Sequence, residues 1–178
     1  MNSTTKNLIY CALFAALTAV FSQIAIPIEP VPVNLALFSV FVAGGLLGAA
    51  KGSISQAVYI LLGAVGAPVF SNLHGGFQVL IGPTGGYIAG YVVAALAAGI
   101  VAERFGRKTV PVIIGCVIGL AACYTMGTVW YCFQSATPFG AALSLCVLPF
   151  LPGDTIKIAA AALIVPCLLY TSPSPRDV

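Results

Sequence analysis

Residues 85–132 read GGYIAGYVVAALAAGIVAERFGRKTVPVIIGCVIGLAACYTMGTVWYC. Two long apolar runs, about Gly85 to Ala102 and about Val110 to Cys132, are joined by a short turn bearing Arg104, Arg107 and Lys108. A helix that crosses a bilayer needs about 20 predominantly apolar residues, and these runs meet that requirement with their charges confined to the turn. The pattern is that of two membrane helices linked on one side. The rest of the chain repeats it.

Of the 178 residues, 60% are apolar and 6% are charged. Soluble domains carry roughly 25% charged residues, so this chain lacks the polar surface to dress a water-soluble globule. Disordered chains are charge-rich and apolar-poor, and they are excluded by the same composition. The length admits six spans of about 20 residues with a remainder for loops and ends, and no separate soluble domain. The net charge of +3 is small and scattered, unlike the clustered basic stripe that nucleic acid requires.

Hydropathy predicts an all-α integral membrane protein of six helices. Helix 1 covers about Leu8 to Ile26 and stops at Pro27, Pro30 and Pro32, which lack a backbone donor and force extended geometry. Helix 2 follows over about Val33 to Ala50 and helix 3 over about Ser53 to Val65. Helices 4 and 5 are the two runs quoted first. Between helices 3 and 4 lies an irregular stretch, Gly66 to Pro83, rich in Gly, Pro and Asn. The region from Pro138 is interrupted at Pro149-Phe-Leu-Pro-Gly-Asp154, and helix 6 is placed from Asp154 onward.

The cations then fix an orientation. Lys6 precedes helix 1, Lys51 joins helices 2 and 3, and Arg104, Arg107 and Lys108 join helices 4 and 5, while the opposite connections contain no Lys or Arg. By the positive-inside rule both termini are cytoplasmic and the glycine-rich loop is external. The first apolar run is too long for a signal-peptide core and is expected to be retained. Cys167 to Asp177 matches the translation of a transposase-type sequencing adaptor, so residues 1–166 are expected to form a single six-helix domain and 167–178 a non-native tail.

Lys157 is the cation that topology does not use. It stands in an apolar run three residues after Asp154, and residues i and i+3 share a helix face. Insertion of either charge at a helix centre costs about 2.5–3.5 kcal/mol, so such residues usually face a cavity and mark a ligand or ion path. Two readings stand side by side. Asp154 caps helix 6 and Lys157 neutralises it, or Lys157 meets an anionic group of a ligand while Asp154 accepts hydrogen bonds from its N–H groups.

The external loop runs from Pro68 through Asn72, His74, Gly75, Gly76, Phe77 and Gln78 to Gly82-Pro-Thr84-Gly85-Gly86-Tyr87. Irregular backbone at membrane depth survives only when buried in protein or lining a wet cavity, so the alternatives are a plain surface loop or a lid that carries Asn72, Gln78 and Tyr87 into a pocket. No Gly-Lys-Ser/Thr follows, which excludes a P-loop. The single His74 has no carboxylate or cysteine cluster at ligand spacing, so no metal site is expected. The six cysteines lie in or beside apolar stretches without a Cys-x-x-Cys pair and read as small buried hydrophobes. Tyr10, Trp130, Tyr131, Phe133 and Phe139 fall near span ends, as aromatic anchors do, while Phe70, Phe77 and Phe150 are candidates to pack on a ring system. Helix 1 carries Ala12-x-x-x-Ala16 and Ala15-x-x-x-Ala19, spacings that let helices approach closely in lipid.

Five blocks taken in order, Glu29-Pro-Val-Pro-Val33, Gly66-Ala-Pro-Val-Phe70, Gly75-Gly, Gly82-Pro-Thr-Gly-Gly-Tyr87 and Pro149-Phe-Leu-Pro-Gly-Asp-x-x-Lys157, resemble the BioY family. These are the biotin-specific substrate-binding (S) components of energy-coupling factor transporters. The resemblance implies a six-helix S component in a bacterial-type cytoplasmic membrane, with an outward-facing pocket for biotin and no cofactor. It also implies partners: a transmembrane coupling protein and a pair of cytoplasmic ATPases. Through it, Asp154 and Asn72 would hold the ureido ring, Lys157 would meet the valerate carboxylate, Tyr87 would line the pocket, and Ala12 and Ala16 would dock the coupling protein. Family members often have Ser or Thr and then Gln after Pro-Val-Pro, where this chain has Asn34 and Ala36; the polar contact from helix 2 is then either missing or passed to Asn34. The competing classes are an intramembrane enzyme using Asp154, for which the sequence marks no partner carboxylate or thiol, and a self-sufficient channel or carrier. No constellation of acid, base, nucleophile and metal is present, and an enzyme is not expected.

Overall fold

The computed structural model describes residues 3–27 and 31–171. Among them are eight α-helices and one short hairpin. Helix α1 spans Ser3–Gln23, and strands β1 (Ala25–Ile26) and β2 (Val33–Asn34) pair antiparallel with Ala25 opposite Asn34. Then come α2 (Ala36–Leu47), α3 (Ala49–Ala64), a 3-10 turn at Ser71–Leu73, α4 (Phe77–Ile81), α5 (Gly85–Phe105), α6 (Thr109–Ser135), α7 (Phe139–Cys146) and α8 (Leu151–Thr171). Four of these, α1, α5, α6 and α8, are long and apolar enough to cross a membrane by length and composition. Helix α2 is apolar but only 12 residues long, and α3 has 16.

Several boundaries differ from the hydropathy reading, each for a local reason. Val33 and Asn34 form a strand and not the start of a helix, because the prolines before them hold the chain extended and β1 offers its edge. Helices α2 and α3 meet at a single break, Gly48, whose φ of +86° is a conformation that favours glycine. Helix α8 starts three residues before Asp154; Pro152 occupies its first turn, where a missing N–H costs nothing. Asp154 therefore sits inside the first turn, its own N–H bonded to the Phe150 carbonyl at 2.9 Å, and is not the helix cap. Gly85 and Gly86 belong to the buried start of α5, not to the loop. Of the adaptor-like tail, 167–171 continue α8 and the remainder lies outside the described residues, as does Glu29.

Helix α5 is the hub: α2, α3 and α6 all pack on it. Its buried residues Ala94, Ala95, Ala98 and Ala102 recur at helical spacing and present almost no side chain. Glycines face them. A Cβ on Gly44 of α2 would lie 2.6 Å from the Ala95 carbonyl oxygen, and one on Gly119 of α6 would lie 2.7 Å from that of Ala94. Backbone-to-backbone approach of this kind is how helices associate in lipid, where packing replaces the hydrophobic drive. The small-residue seam of this molecule thus lies on α5, whereas Ala12 and Ala16 of α1 are exposed on that helix's outer face.

At one end of the bundle the charged turns meet. Glu103, in the last turn of α5, accepts a hydrogen bond from the Ala49 N–H at 3.1 Å. It thereby satisfies one of the orphan donors at the start of α3 and favours that helix's positive end. This places the turn bearing Lys51 beside the one bearing Arg104. The same crossing leaves no room at Gly99, where a Cβ would strike the Ala49 and Gly48 backbone. Gly99→Val is accordingly expected to cost about 1–3 kcal/mol, seen as a lowered thermal midpoint of the detergent-solubilised protein; an unchanged midpoint would show that α3 and α5 can separate freely.

Candidate ligand-binding site

The opposite end carries the hairpin, the 66–84 segment and a cavity of about 500 Å³. Its walls include Pro32 and Asn34 of the hairpin, Tyr59 of α3, Phe70, Asn72 and His74 of the segment, Gln78 of α4, Thr84, and Tyr87 and Tyr91 of α5. Asn34, Asn72, Gln78 and Tyr87, expected from the sequence to meet a ligand, therefore share one chamber. Gly82 and Thr84 line it too, whereas Gly75, Gly76, Gly85 and Gly86 do not.

The segment over this chamber is tied down by bonds that no sequence motif announces. Asn72 and Leu73 both have left-handed backbones, with φ of +60° and +58°, a conformation unusual for a residue such as Leu. Gln23, at the end of α1, brackets them: its Nε2 donates to the Phe70 carbonyl at 3.0 Å, and its Oε1 accepts from the Leu73 N–H at 2.9 Å. Ser22 Oγ donates to the Val69 carbonyl at 2.5 Å. Two glycines serve the same end. Gly75 lies so close to Ala67 and Gly66 that a Cβ would meet their backbone, and the Gly76 N–H bonds to the Gly63 carbonyl at 2.7 Å. Trp130, expected as an interfacial anchor, donates its indole N–H to the Gly82 carbonyl at 2.9 Å and so latches the segment to α6.

Asn34 joins the hairpin to the segment. Its Nδ2 donates to Ser71 Oγ at 2.7 Å, and its Oδ1 accepts the Ala36 N–H at 3.0 Å at the start of α2. The tyrosines form the floor: Tyr59 meets Phe70 edge to face at 5.6 Å and stacks on Tyr91 at 6.4 Å. Tyr87 presents its ring to the chamber while its hydroxyl pairs with Thr128 Oγ1 at 3.0 Å. Phe70 is thus a chamber residue, Phe150 lines the deeper recess described next, and Phe77 is exposed.

Asp154 and Lys157 are not in the chamber itself. They line a small inner recess of about 40 Å³ that shares Val31, Pro32, Asn34, Tyr87 and Tyr91 with it. Both charges are buried, at 1% and 5% exposure, and Lys157 Nζ lies 2.6 Å from Asp154 Oδ1. The other carboxylate oxygen, Oδ2, accepts a hydrogen bond from the Tyr124 hydroxyl of α6. Tyr124 was invisible in the sequence; an aromatic in the middle of an apolar run gives no sign that its hydroxyl faces a carboxylate on another helix. The pair is stable here because each carboxylate oxygen has a donor, whereas a buried charge left unpaired is strongly destabilising.

The BioY family profile matches residues 1–173. The chain belongs to the BioY family. It is 40% identical over 159 residues to the biotin transporter BioY of Thermotoga maritima, covering 89% of this chain and 93% of that one. It is also 40% identical, with the same coverage, to a probable biotin transporter BioY of Pyrococcus horikoshii. In structure it is similar to the S-component for biotin from an ECF-type ABC transporter, with a TM-score of 0.89, 29% identity, and coverage of 97% of this chain and 96% of that one.

Within this BioY fold, Tyr124→Phe isolates the hydroxyl that supports Asp154. Removing it leaves a buried carboxylate oxygen short of a donor, an expected loss of about 1–3 kcal/mol, measurable as a lower unfolding midpoint. An unchanged midpoint would mean that the hydroxyl contributes nothing to holding the carboxylate.

Proposed function

We propose that the chain is the biotin-specific S component of an energy-coupling factor transporter, a multi-pass protein of the cytoplasmic membrane that captures biotin from outside. Uptake then requires a coupling protein and ATPases, and the chain is not itself an enzyme. The observation that carries this proposal is the buried Asp154–Lys157 pair beside a 500 Å³ chamber, in a chain of this family. That volume falls within the roughly 300–1,000 Å³ of small-molecule sites.

The chemistry of the ligand suits the walls. A ureido group offers two N–H donors and one acceptor, for which a carboxylate and an amide are the matching partners. Asp154 and Asn72 take that end, and Gln78 and Asn34 supply further amides. The carboxylate end needs a cation, and a charge-assisted bond to Lys157 out of water is strong. Because Lys157 and Asp154 begin as each other's partner, binding requires the pair to open: the flexible Lys157 side chain swings to the ligand carboxylate, which the valerate chain holds apart from the ureido N–H groups that take Asp154. Each buried charge then has a partner in the bound state as in the free one.

Six crossings follow if α2 and α3 span as well as α1, α5, α6 and α8, with α4 and α7 too short to do so. Both termini are then cytoplasmic. Support comes from the cations at the end where Glu103 joins the turns bearing Lys51 and Arg104. The 66–84 segment lies at the external end and serves as the lid; Gly75, Gly76 and Gly82 belong to it, with Gly75 packed against Ala67 and Gly66. The exposed Ala12 and Ala16 form the surface on which the coupling protein docks.

Labelled biotin bound to the purified protein is the direct test. Asp154→Ala and Lys157→Ala should each weaken binding roughly tenfold to a hundredfold, the size of one hydrogen bond to a charged group; unchanged affinity in both would remove the pair from the site. Far tighter binding of another vitamin would defeat the substrate assignment. Replacing Ala12 and Ala16 with Leu should abolish uptake in cells that carry the whole transporter while leaving binding intact, and lost binding would instead assign those alanines to internal packing.

A further inference from the structure

The bond that joins the hairpin to the 66–84 segment has only one possible direction. The Asn34 side chain reaches two groups, the Ala36 N–H at 3.0 Å and the Ser71 hydroxyl at 2.7 Å. A backbone N–H can only donate, so the amide atom that faces Ala36 is the carbonyl oxygen Oδ1. The atom left to face Ser71 is Nδ2, which carries hydrogens and cannot accept. The Ser71 oxygen is therefore the acceptor of this bond.

A hydroxyl has one hydrogen and two lone pairs. At Ser71 one lone pair is taken by Asn34, the hydrogen is not, and among the described residues no side-chain or backbone acceptor for that hydrogen is recorded. Ser71 is half-buried and lines the 500 Å³ chamber together with Asn34 and Asn72. It is also held in place from several directions. Asn34 fixes its Oγ, its own carbonyl accepts from His74 Nδ1 at 2.9 Å, and the preceding carbonyl, of Phe70, accepts from Gln23. The chamber wall thus presents a fixed donor with no protein partner. A ligand that covers it must bring an acceptor, because a donor shut away unmatched is costly.

We propose that Ser71 determines specificity by donating its hydroxyl hydrogen to a carbonyl oxygen of the ligand. The inference rests on the biotin reading above and completes it. Asp154 and the Asn72 amide oxygen take the two ureido N–H groups, and the oxygen between those groups still needs a donor. Ser71 and Asn72 are consecutive in the chain, as the carbonyl and an N–H are consecutive in the ring. Asn34 has a matching role: by facing Ala36 with its oxygen and Ser71 with its nitrogen, it keeps the Ser71 hydrogen free for the ligand. A residue with an acceptor in place of Nδ2 would take that hydrogen for itself.

The test measures binding of the purified full chain to biotin and to the analogue with sulfur in place of the ureido oxygen, a much weaker acceptor. The ratio of the two affinities is the readout, since general loosening of the site affects both ligands alike. Ser71→Ala should move that ratio toward the sulfur analogue by about threefold to tenfold, the size of one hydrogen bond. Asn34→Asp should move it in the same direction with Ser71 intact, because the new carboxylate accepts the Ser71 hydrogen. Should Ser71→Ala bind neither ligand, Asn34→Asp carries the test alone. A ratio unchanged from wild type in either variant overturns the proposal, including the case in which both affinities fall in equal proportion and Ser71 serves only to hold the hairpin. If wild-type protein binds neither ligand, the biotin reading fails, and this inference falls with it.

Discussion

Two opposite charges held out of water on an apolar helix set the terms for the rest of this structure. Asp154 and Lys157 lie on one face of α8 at i, i+3 spacing. Neither is tolerable there alone. Their mutual bond and the Tyr124 hydroxyl make the pair acceptable, which in turn requires α6 to lie against α8 at that level. The hairpin then has to pass over the recess, and its Asn34 must reach both the loop and the start of α2. Such a pair can be divided only by a ligand that offers each charge a new partner, which is the property the proposed biotin reading asks of it.

Much of this was legible in the chain. The apolar runs between charged turns gave α5 and α6 to within a few residues, and the isolation of Lys157 from every topological role pointed to it and its neighbour. The motif blocks led to the family that the comparisons confirm. What the sequence concealed are partnerships between distant segments. Gln23 holding Phe70 and Leu73, Trp130 holding Gly82, Glu103 holding Ala49 and Tyr124 holding Asp154 all join residues at least 30 positions apart. No periodicity reports such pairs. Small residues are ambiguous for a related reason: alanine spacing is as regular on α1 as on α5, and only the facing glycines of α2 and α6 mark which stripe is the internal seam.

The loop shows how local rules and tertiary bonds divide the labour. Its glycines permit close passage over the end of α3, and that much is readable from composition. The left-handed Asn72 and Leu73 are not, since their strain is compensated by a carboxamide on α1. Asn72 is thereby held at the chamber wall by a residue about fifty positions earlier in the chain. Strained backbone maintained by its surroundings is a recurrent property of binding sites, and here Gln23 brackets the corner while Ser22 and Asn34 hold the chain beside it.

The seam along α5 also determines which parts of the molecule are mechanically independent. Where carbonyl oxygens of one helix lie almost against the α-carbons of the next, sliding or tilting has no slack to consume. Helices α2, α5 and α6 therefore behave as a fixed frame. Helix α1 is attached to that frame through α2 and α3 and to the lid through Ser22 and Gln23, yet it scarcely touches α8. A displacement of α1 would pull directly on the strained Asn72–Leu73 corner through Gln23, and on α2 through the buried Thr18–Ser39 hydrogen bond. Helix α1 is in effect a lever: its outer face is available to a partner along its length, and one end is fastened to the strand of chain that covers the chamber.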